Sequence, residues 1–466
     1  MQKQLLHTWY SIARMLSFHA AEELSKKVKF GIELAFIAPV LYLGLLSYVI
    51  FDDPAAAHAG LTAIAALSPI WLPLFLLRYF WIYWMHYIRY KFWFGQEMVL
   101  LQIQLPAEVT KSPLAMELFL SSMWNSGGEV TFLKRLWDGA FRPIWSLEIA
   151  SMEGQVNFYI HMRKGLRSNI EARLYGQFPE AQVREVDDYT RKVPFNLEEY
   201  DLWAAEFKKN DPQALPIKSY IDYGLDKDPD EEFKIDPITN LLEAFASMGK
   251  DEYFWFQIVA KARKKDEWYG FYDNKHDAYK DSFKKGLADI MAGAAKRAGA
   301  LVHDEAGKAQ AEARGLTLLT GGEKLKVEAM ERAVGKLTFE VGLRAMYLAK
   351  KEAFRGTNIA YIPRFFDPFR SNDLNAINPT RWMASLDFPW QDFHNIRRNG
   401  MKKKIFWLFQ NRAYFYVPID QAPVFLSIEE LATIWHFPSS AVRTPGLNRV
   451  ASKRSEAPVD LPTLPS

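Results

Sequence analysis

Two long apolar runs near the start give way to alternating segments further on, and this change of period divides the chain. Residues 30–51 (FGIELAFIAPVLYLGLLSYVIF) and 61–83 (LTAIAALSPIWLPLFLLRYFWIY) are each long enough for a membrane span of about 20 residues. Tyr79, Trp81, Tyr83, Trp84, Tyr87, Tyr90 and Trp93 follow the second run like an interfacial aromatic belt. Lys26, Lys27 and Lys29 precede the first run, Arg89 and Lys91 follow the second, and the loop between them (FDDPAAAHAG) has acids but no Lys or Arg. The positive-inside rule then predicts a helical hairpin over 30–94 in the inner (cytoplasmic) membrane. The placement is multi-pass, with both termini and the remaining domains in the cytoplasm. Ahead of it, Leu5, Trp9, Ile12, Leu16 and Leu24 form a helical stripe over 1–29, suited equally to a membrane surface or to packing on protein.

From Glu97 the period falls to two. Val99, Leu101, Ile103 and Leu105 predict a strand, and Ser112-Pro113 opens a helix through about Asn125. Strands at 143–151 and 155–162 are joined through Glu153-Gly154. A helix at 165–177 and a strand at 181–187 complete a β-α-β-β-α-β unit over 97–190, the ferredoxin-like split plan. A second module over 195–350 is expected to use a strand at 216–223, a helix from Asp236-Pro237 to about Met248 and a strand at 252–261. It ends with a helix at 322–335 and a strand at 337–349. Between them lies a charged insertion at about 262–321. The fold class read from this order is α+β, a transmembrane hairpin followed by two ferredoxin-like modules with a helical insertion.

Residues 351–438 form a C-terminal region with helical and short-strand character. Within it, 404–418 (KIFWLFQNRAYFYVP) reads as two short strands around Asn411-Arg412. Ser427 and Glu430 make a capping box, with Leu426 and Leu431 as its staple. The segment 439–466 is a Pro-rich tail.

Composition removes whole classes of chemistry. The 466 residues contain no cysteine, so disulfides, thiolate metal sites and thiol nucleophiles are excluded. Lys+Arg 58 against Asp+Glu 55 leaves a net charge of +3, unlike a dedicated nucleic-acid binder. No GxxxxGK[ST], GxGxxG or HExxH string occurs, and the 9 histidines show no ligand spacing. The acids Asp222, Asp226, Asp228, Asp230, Glu231 and Glu232 lack the glycine placement of a calcium loop and read as a solvated loop. No catalytic residue, cofactor or metal is therefore expected. One cluster does carry interest. Arg397, Arg398, Lys402, Lys403 and Lys404 stand beside Phe406, Trp407 and Phe409, a combination able to hold single strands or phosphates. A charged hairpin entrance or a membrane-surface patch explains the same residues.

The strings VLLQIQLP, SLEIAS, QVNFYIHM, FPEAQVREVDDYT and PIKSYIDYGLDKDPDEEFKIDPITNLLEAFASMGKDE resemble an uncharacterised family of bacterial membrane proteins. The end, FLSIEELATIWHFPSSAVRTPGLNRVASKRSEAP, is similar to the junction at which longer relatives enter a P-loop ATPase of the type IV secretion, conjugative and HerA-like class. This resemblance implies a membrane-anchored, non-catalytic scaffold or adaptor docking an ATPase encoded in trans, since the chain stops at Ser466 where the motor would begin. Ser427, Glu430, Leu431 and Trp435 are the docking candidates, and homo-oligomerisation is compatible. The rival reading is a membrane-tethered module that directly contacts single-stranded DNA or an exported substrate.

Overall fold

The computed structural model describes residues 54–106, 111–125, 131–227, 236–263, 267–269, 272–274, 277–300, 319–381, 390–416, 419–420, 422–438, 446–447 and 449–450. The chain divides into two compact units, Met1–Phe92 with Phe415–Asp420, and Trp93–Tyr414 with Gln421–Ser466.

In the first unit, helix α1 spans Pro54–Ala66 and α2 begins at Ser68 and runs to Phe94. This corrects the transmembrane hairpin. The second expected span is broken at Leu67, and no helix among the described residues is long and apolar enough to cross a membrane. The physical reason lies in composition. At 13 residues α1 reaches about 20 Å, short of a hydrocarbon core of about 30 Å. Helix α2 is long enough, but its sequence includes Pro73, Arg78, His86, Arg89 and Lys91 among tryptophans and tyrosines that each carry a polar atom. The first run, 30–51, and the stripe over 1–29 lie outside the described residues. The membrane and transmembrane character, and the multi-pass placement in the inner membrane, rested on that hairpin and fall with it.

The second unit is built on one large sheet. Its elements in chain order are β1 (Met98–Pro106), α3 (Pro113–Met123), β2 (Ile144–Met152), β3 (Gln155–Arg163), α4 (Arg167–Gln177) and β4 (Gln182–Val186). Next come β5 (Tyr200–Lys209), α5 (Ile238–Ala246), β6 (Glu252–Ala262), the hairpin β7 (Glu267–Tyr269) and β8 (Tyr272–Asn274), α6 (Ala278–Ala300), α7 (Gly321–Gly335) and β9 (Thr338–Lys350). The remainder is β10 (Ile377–Arg381), α8 (Ile396–Asn411), a hairpin of β11 (Phe415–Tyr416) and β12 (Ile419–Asp420) that belongs to the first unit, then β13 (Val424–Ser427), α9 (Ile428–Ile434) and β14 (Arg449–Val450).

The strand order is β10-β5-β9-β6-β2-β3-β1, with β4 also on β1. Outward from the β6–β2 seam, each half places its second, third, first and fourth strand in turn, and every pairing among them is antiparallel. The α+β plan is thus two split units fused edge to edge into one continuous sheet, in place of the two separate modules expected. Fusion follows from burial. β2 and β6 are buried on both faces and pair from Ile144↔Lys261 to Met152↔Tyr253, which satisfies two edges that would otherwise be exposed. The fourth strand of the second half, β10, lies beyond the expected boundary at 350, and two 3-10 turns stand where the first half has α4.

Two further expectations are corrected. Residues 216–223 are turn and coil, and the missing strand is β5 (YDLWAAEFKK), whose buried Glu206 and Lys209 disguise its inward positions. Residues 404–411 are helical, because Ile405, Phe406, Leu408 and Phe409 recur at helical spacing and bury one stripe.

Helices pack on both faces of the sheet. One face buries Leu101, Ile103, Leu147, Ile149, Phe256 and Ile258 with residues of α3, α4, α5 and α9. The other buries Ala150, Tyr159, Trp255, Met346 and Leu348 with Ile405, Phe406 and Phe409 of α8.

Candidate functional site

Helix α8 carries the basic cluster, and its two ends differ. At the start, His394 and Asn395 adopt left-handed backbone (φ 56 and 58) and swing the chain into the helix. The Asp392 carboxylate then accepts from the backbone N–H groups of Arg397 (2.7 Å) and Arg398 (2.9 Å), satisfying donors that a helix start leaves open. Desolvation would raise the Asp392 carboxyl, but those two N–H groups and the neighbouring guanidinium charges hold it below its usual value.

Trp390, Phe393 and Ile396 are 62, 66 and 65% exposed, and Arg397, Lys403 and Lys404 are exposed with them. Ile396, Gly400 and Lys403 fall on one helical face, with Arg397 and Lys404 beside it. Arg397 Nη1 donates to the Gln391 carbonyl at 2.9 Å, Arg398 is half-buried, and Lys402 is ion-paired with Asp201. The structure thus brings Arg397, Lys403 and Lys404 to the surface and turns Lys402 into an anchor. The aromatics expected to accompany them change as well. Phe406 and Phe409 are core, and the exposed rings are Trp390 and Phe393.

At its other end α8 is held by a buried ionic network. Arg412, the left-handed cap residue (φ 50), donates through Nε to Glu148 Oε1 at 3.0 Å and through Nη2 to Glu148 Oε2 at 3.2 Å. The same guanidinium donates to the Asp188 carboxylate from Nη1 and, at 3.1 Å, from Nη2. Glu148 also accepts from Ser146 Oγ (2.6 Å), Tyr189 OH (2.8 Å) and Gln257 Nε2 (2.8 Å), while Gln257 Oε1 accepts from Arg344 Nε (2.7 Å). Burial would raise the Glu148 and Asp188 carboxyls, yet the Arg412 charge and its hydrogen bonds hold both below their ordinary values. His161 on β3 is pulled down to about 3, first by burial and then by the Arg412 charge, so it is neutral near pH 7.

The docking candidates lie inside the fold. Ser427 Oγ accepts from the Glu430 N–H at 3.3 Å and the Glu430 carboxylate accepts from the Ser427 N–H at 2.9 Å, so the capping box is formed. Glu430 also pairs with Lys209 Nζ at 2.6 Å and accepts from the Ile217 N–H at 3.0 Å. Leu431 and Trp435 are fully buried, with Trp435 edge-on to Phe158. These four side chains bind β13 and α9 to the sheet and present nothing to a second chain. The docking role expected of them would need these side chains at the surface, and all four are buried.

Among the described residues no group of His, Asp or Glu is arranged to hold a metal ion. Asp228, Asp230, Glu231 and Glu232 lie outside them, and Asp222 accepts from the Ser219 N–H at 2.8 Å. No family model matches the chain, and no curated protein matches it. The residues missed in sequence were Glu148, Gln257, Arg344 and Arg412. The available signal was a charge at an inward position of an otherwise apolar strand, as in SLEIAS and VGLRAMY.

Proposed function

We propose that this chain is a non-catalytic binding module whose surface at the start of α8 holds single-stranded nucleic acid. The supporting observation is the pairing of two exposed rings, Trp390 and Phe393, with the exposed cations Arg397, Lys403 and Lys404 on a helix pinned at its far end by Arg412. Bases stack on aromatic faces whatever their sequence, and phosphates take up the neighbouring charge. A rigidly held helix keeps rings and cations in register without ordering cost at binding. The rival reading is a scaffold docking a P-loop ATPase in trans; its four named side chains, Ser427, Glu430, Leu431 and Trp435, are buried, which favours the α8 surface instead.

Fluorescence anisotropy with a labelled oligothymidine tests the proposal. Affinity should fall steeply with salt, each lost phosphate contact should flatten the log–log slope by about 0.7, and R397E with K403E should abolish binding. An exported polypeptide as ligand would instead show binding that survives high salt. Absence of any oligonucleotide binding at low salt overturns the nucleic-acid reading.

A further inference from the structure

The stripe that carries Lys403 runs on towards the far end of α8. Trp407 lies one turn beyond Lys403 on the same face and is half-buried. Gln410 stands one heptad beyond Lys403, within about 20° of the same direction and about 10 Å further along the axis. Its Nε2 donates to the Thr190 carbonyl at 3.1 Å, which seats the single helical turn Tyr189–Lys192 against this flank of α8. The flank is also held by the Phe195 ring, stacked on Phe406 with centroids 4.5 Å apart.

The turn itself is firmly placed. The Asp188 carboxylate accepts from the Thr190 N–H at 3.0 Å while it binds the Arg412 guanidinium at the end of α8. Tyr189, Thr190 and Val193 are buried, so Arg191 and Lys192 between them are the side chains turned outward. The Arg191 side chain is 75% exposed, and its Nε is 3.9 Å from Asp188, a carboxylate already taken by Arg412. Asp187, also exposed, precedes the turn. Two cations and one acid hold an anion weakly by themselves, but alongside Lys403 and Lys404 they lengthen a charged path.

We propose that the single strand held at the start of α8 continues along the helix, over Trp407, to phosphate contacts with Arg191 and Lys192. This rests on the nucleic-acid reading of the α8 surface and sets the length of its ligand. The 16 residues of α8 span about 24 Å, which a strand stacked at about 3.4 Å per nucleotide covers with about seven nucleotides. Trp407 lies between the two groups of cations, where a base can stack on it.

The test uses the full chain and an oligothymidine of about ten nucleotides, long enough to cover the whole path. Anisotropy is compared for the parent, for R191Q with K192Q, and for K284Q with K285Q, an exposed pair on α6. Loss of two phosphate contacts should flatten the log–log salt slope by about 1.4 in the first variant and leave the α6 variant like the parent. In the parent, the oligonucleotide should protect Lys192 from acetylation as it protects Lys403, with Lys284 unprotected, read by mass spectrometry. Suppose the parent binds and R397E with K403E abolishes that binding. An unchanged slope in R191Q with K192Q, or an unprotected Lys192, then overturns the extended path and leaves the α8 site standing. Equal flattening in the α6 variant also overturns it, because bulk charge explains the effect. A parent that binds no oligothymidine at low salt overturns both readings.

Discussion

Arg412 and Glu148 are 264 residues apart in sequence and joined by two hydrogen bonds, at 3.0 and 3.2 Å, inside the fold. This contact ties the cap of α8 to the middle of the sheet, and both side chains are almost completely removed from water. Removing one partner of such a pair leaves the other charged and buried, at a cost of about 3–5 kcal/mol. R412M should therefore lower stability by that amount in urea unfolding, with E148Q milder because Asp188 still faces the guanidinium. A loss under 1 kcal/mol for R412M would show the network to be dispensable.

The same network sets an acid limit. Glu148 and Asp188 both have folded-state values below their ordinary 4.5 and 3.8, so their stabilisation is present above those ordinary values and disappears as pH falls through the depressed ones. Melting temperature should fall steeply below about pH 4, and less steeply in R412M.

His436 runs in the opposite direction. Burial lowers its pKa, but the Asp236 carboxylate, at 3.1 Å from Nε2, outweighs that and raises it above 6.5. Its contribution is fully present below 6.5 and is lost as pH rises through the raised folded value. D236N should remove this alkaline-side decline while lowering stability near pH 6. A pH profile identical to that of the parent would rule the pair out as its source.

Gly342 on β9 lies beneath the Tyr414 ring, and a Cβ there would come within 2.3 Å of it. G342A must push the ring or the strand aside, with an expected loss of about 1–3 kcal/mol. Y414A would open that space, so G342A in a Y414A background should cost much less, which a double-mutant cycle measures.

Core and surface roles separate cleanly by stability. L431A should cost about 2–5 kcal/mol because it leaves a cavity in the core. R397A and K403A should stay within about 0.5 kcal/mol of the parent while losing oligonucleotide affinity. If L431A were neutral in stability and altered only partner binding, the placement of α9 would need revision.

Local patterns were legible where one face of an element is apolar and the other is not. Period two marked β1 and β9, the Glu153-Gly154 turn marked β2 and β3, and the Ser427–Glu430 spacing marked the start of α9, because capping, turns and alternation depend on neighbours a few residues away. The basic cluster was also visible as composition. Tertiary structure alone decided the rest. Whether an apolar run crosses a membrane depends on where helices break, and Leu67 divides the second run into α1 and α2. Whether Glu430 and Trp435 meet a partner or the core depends on Lys209, Ile217 and Phe158, more than 200 residues away. Whether KIFWLF is strand or helix depends on the sheet face it covers, since a short apolar run fits either period. The fusion of two split units through β2 and β6 has no local signature, because an edge strand and a central strand can share one sequence until another edge arrives to pair with it.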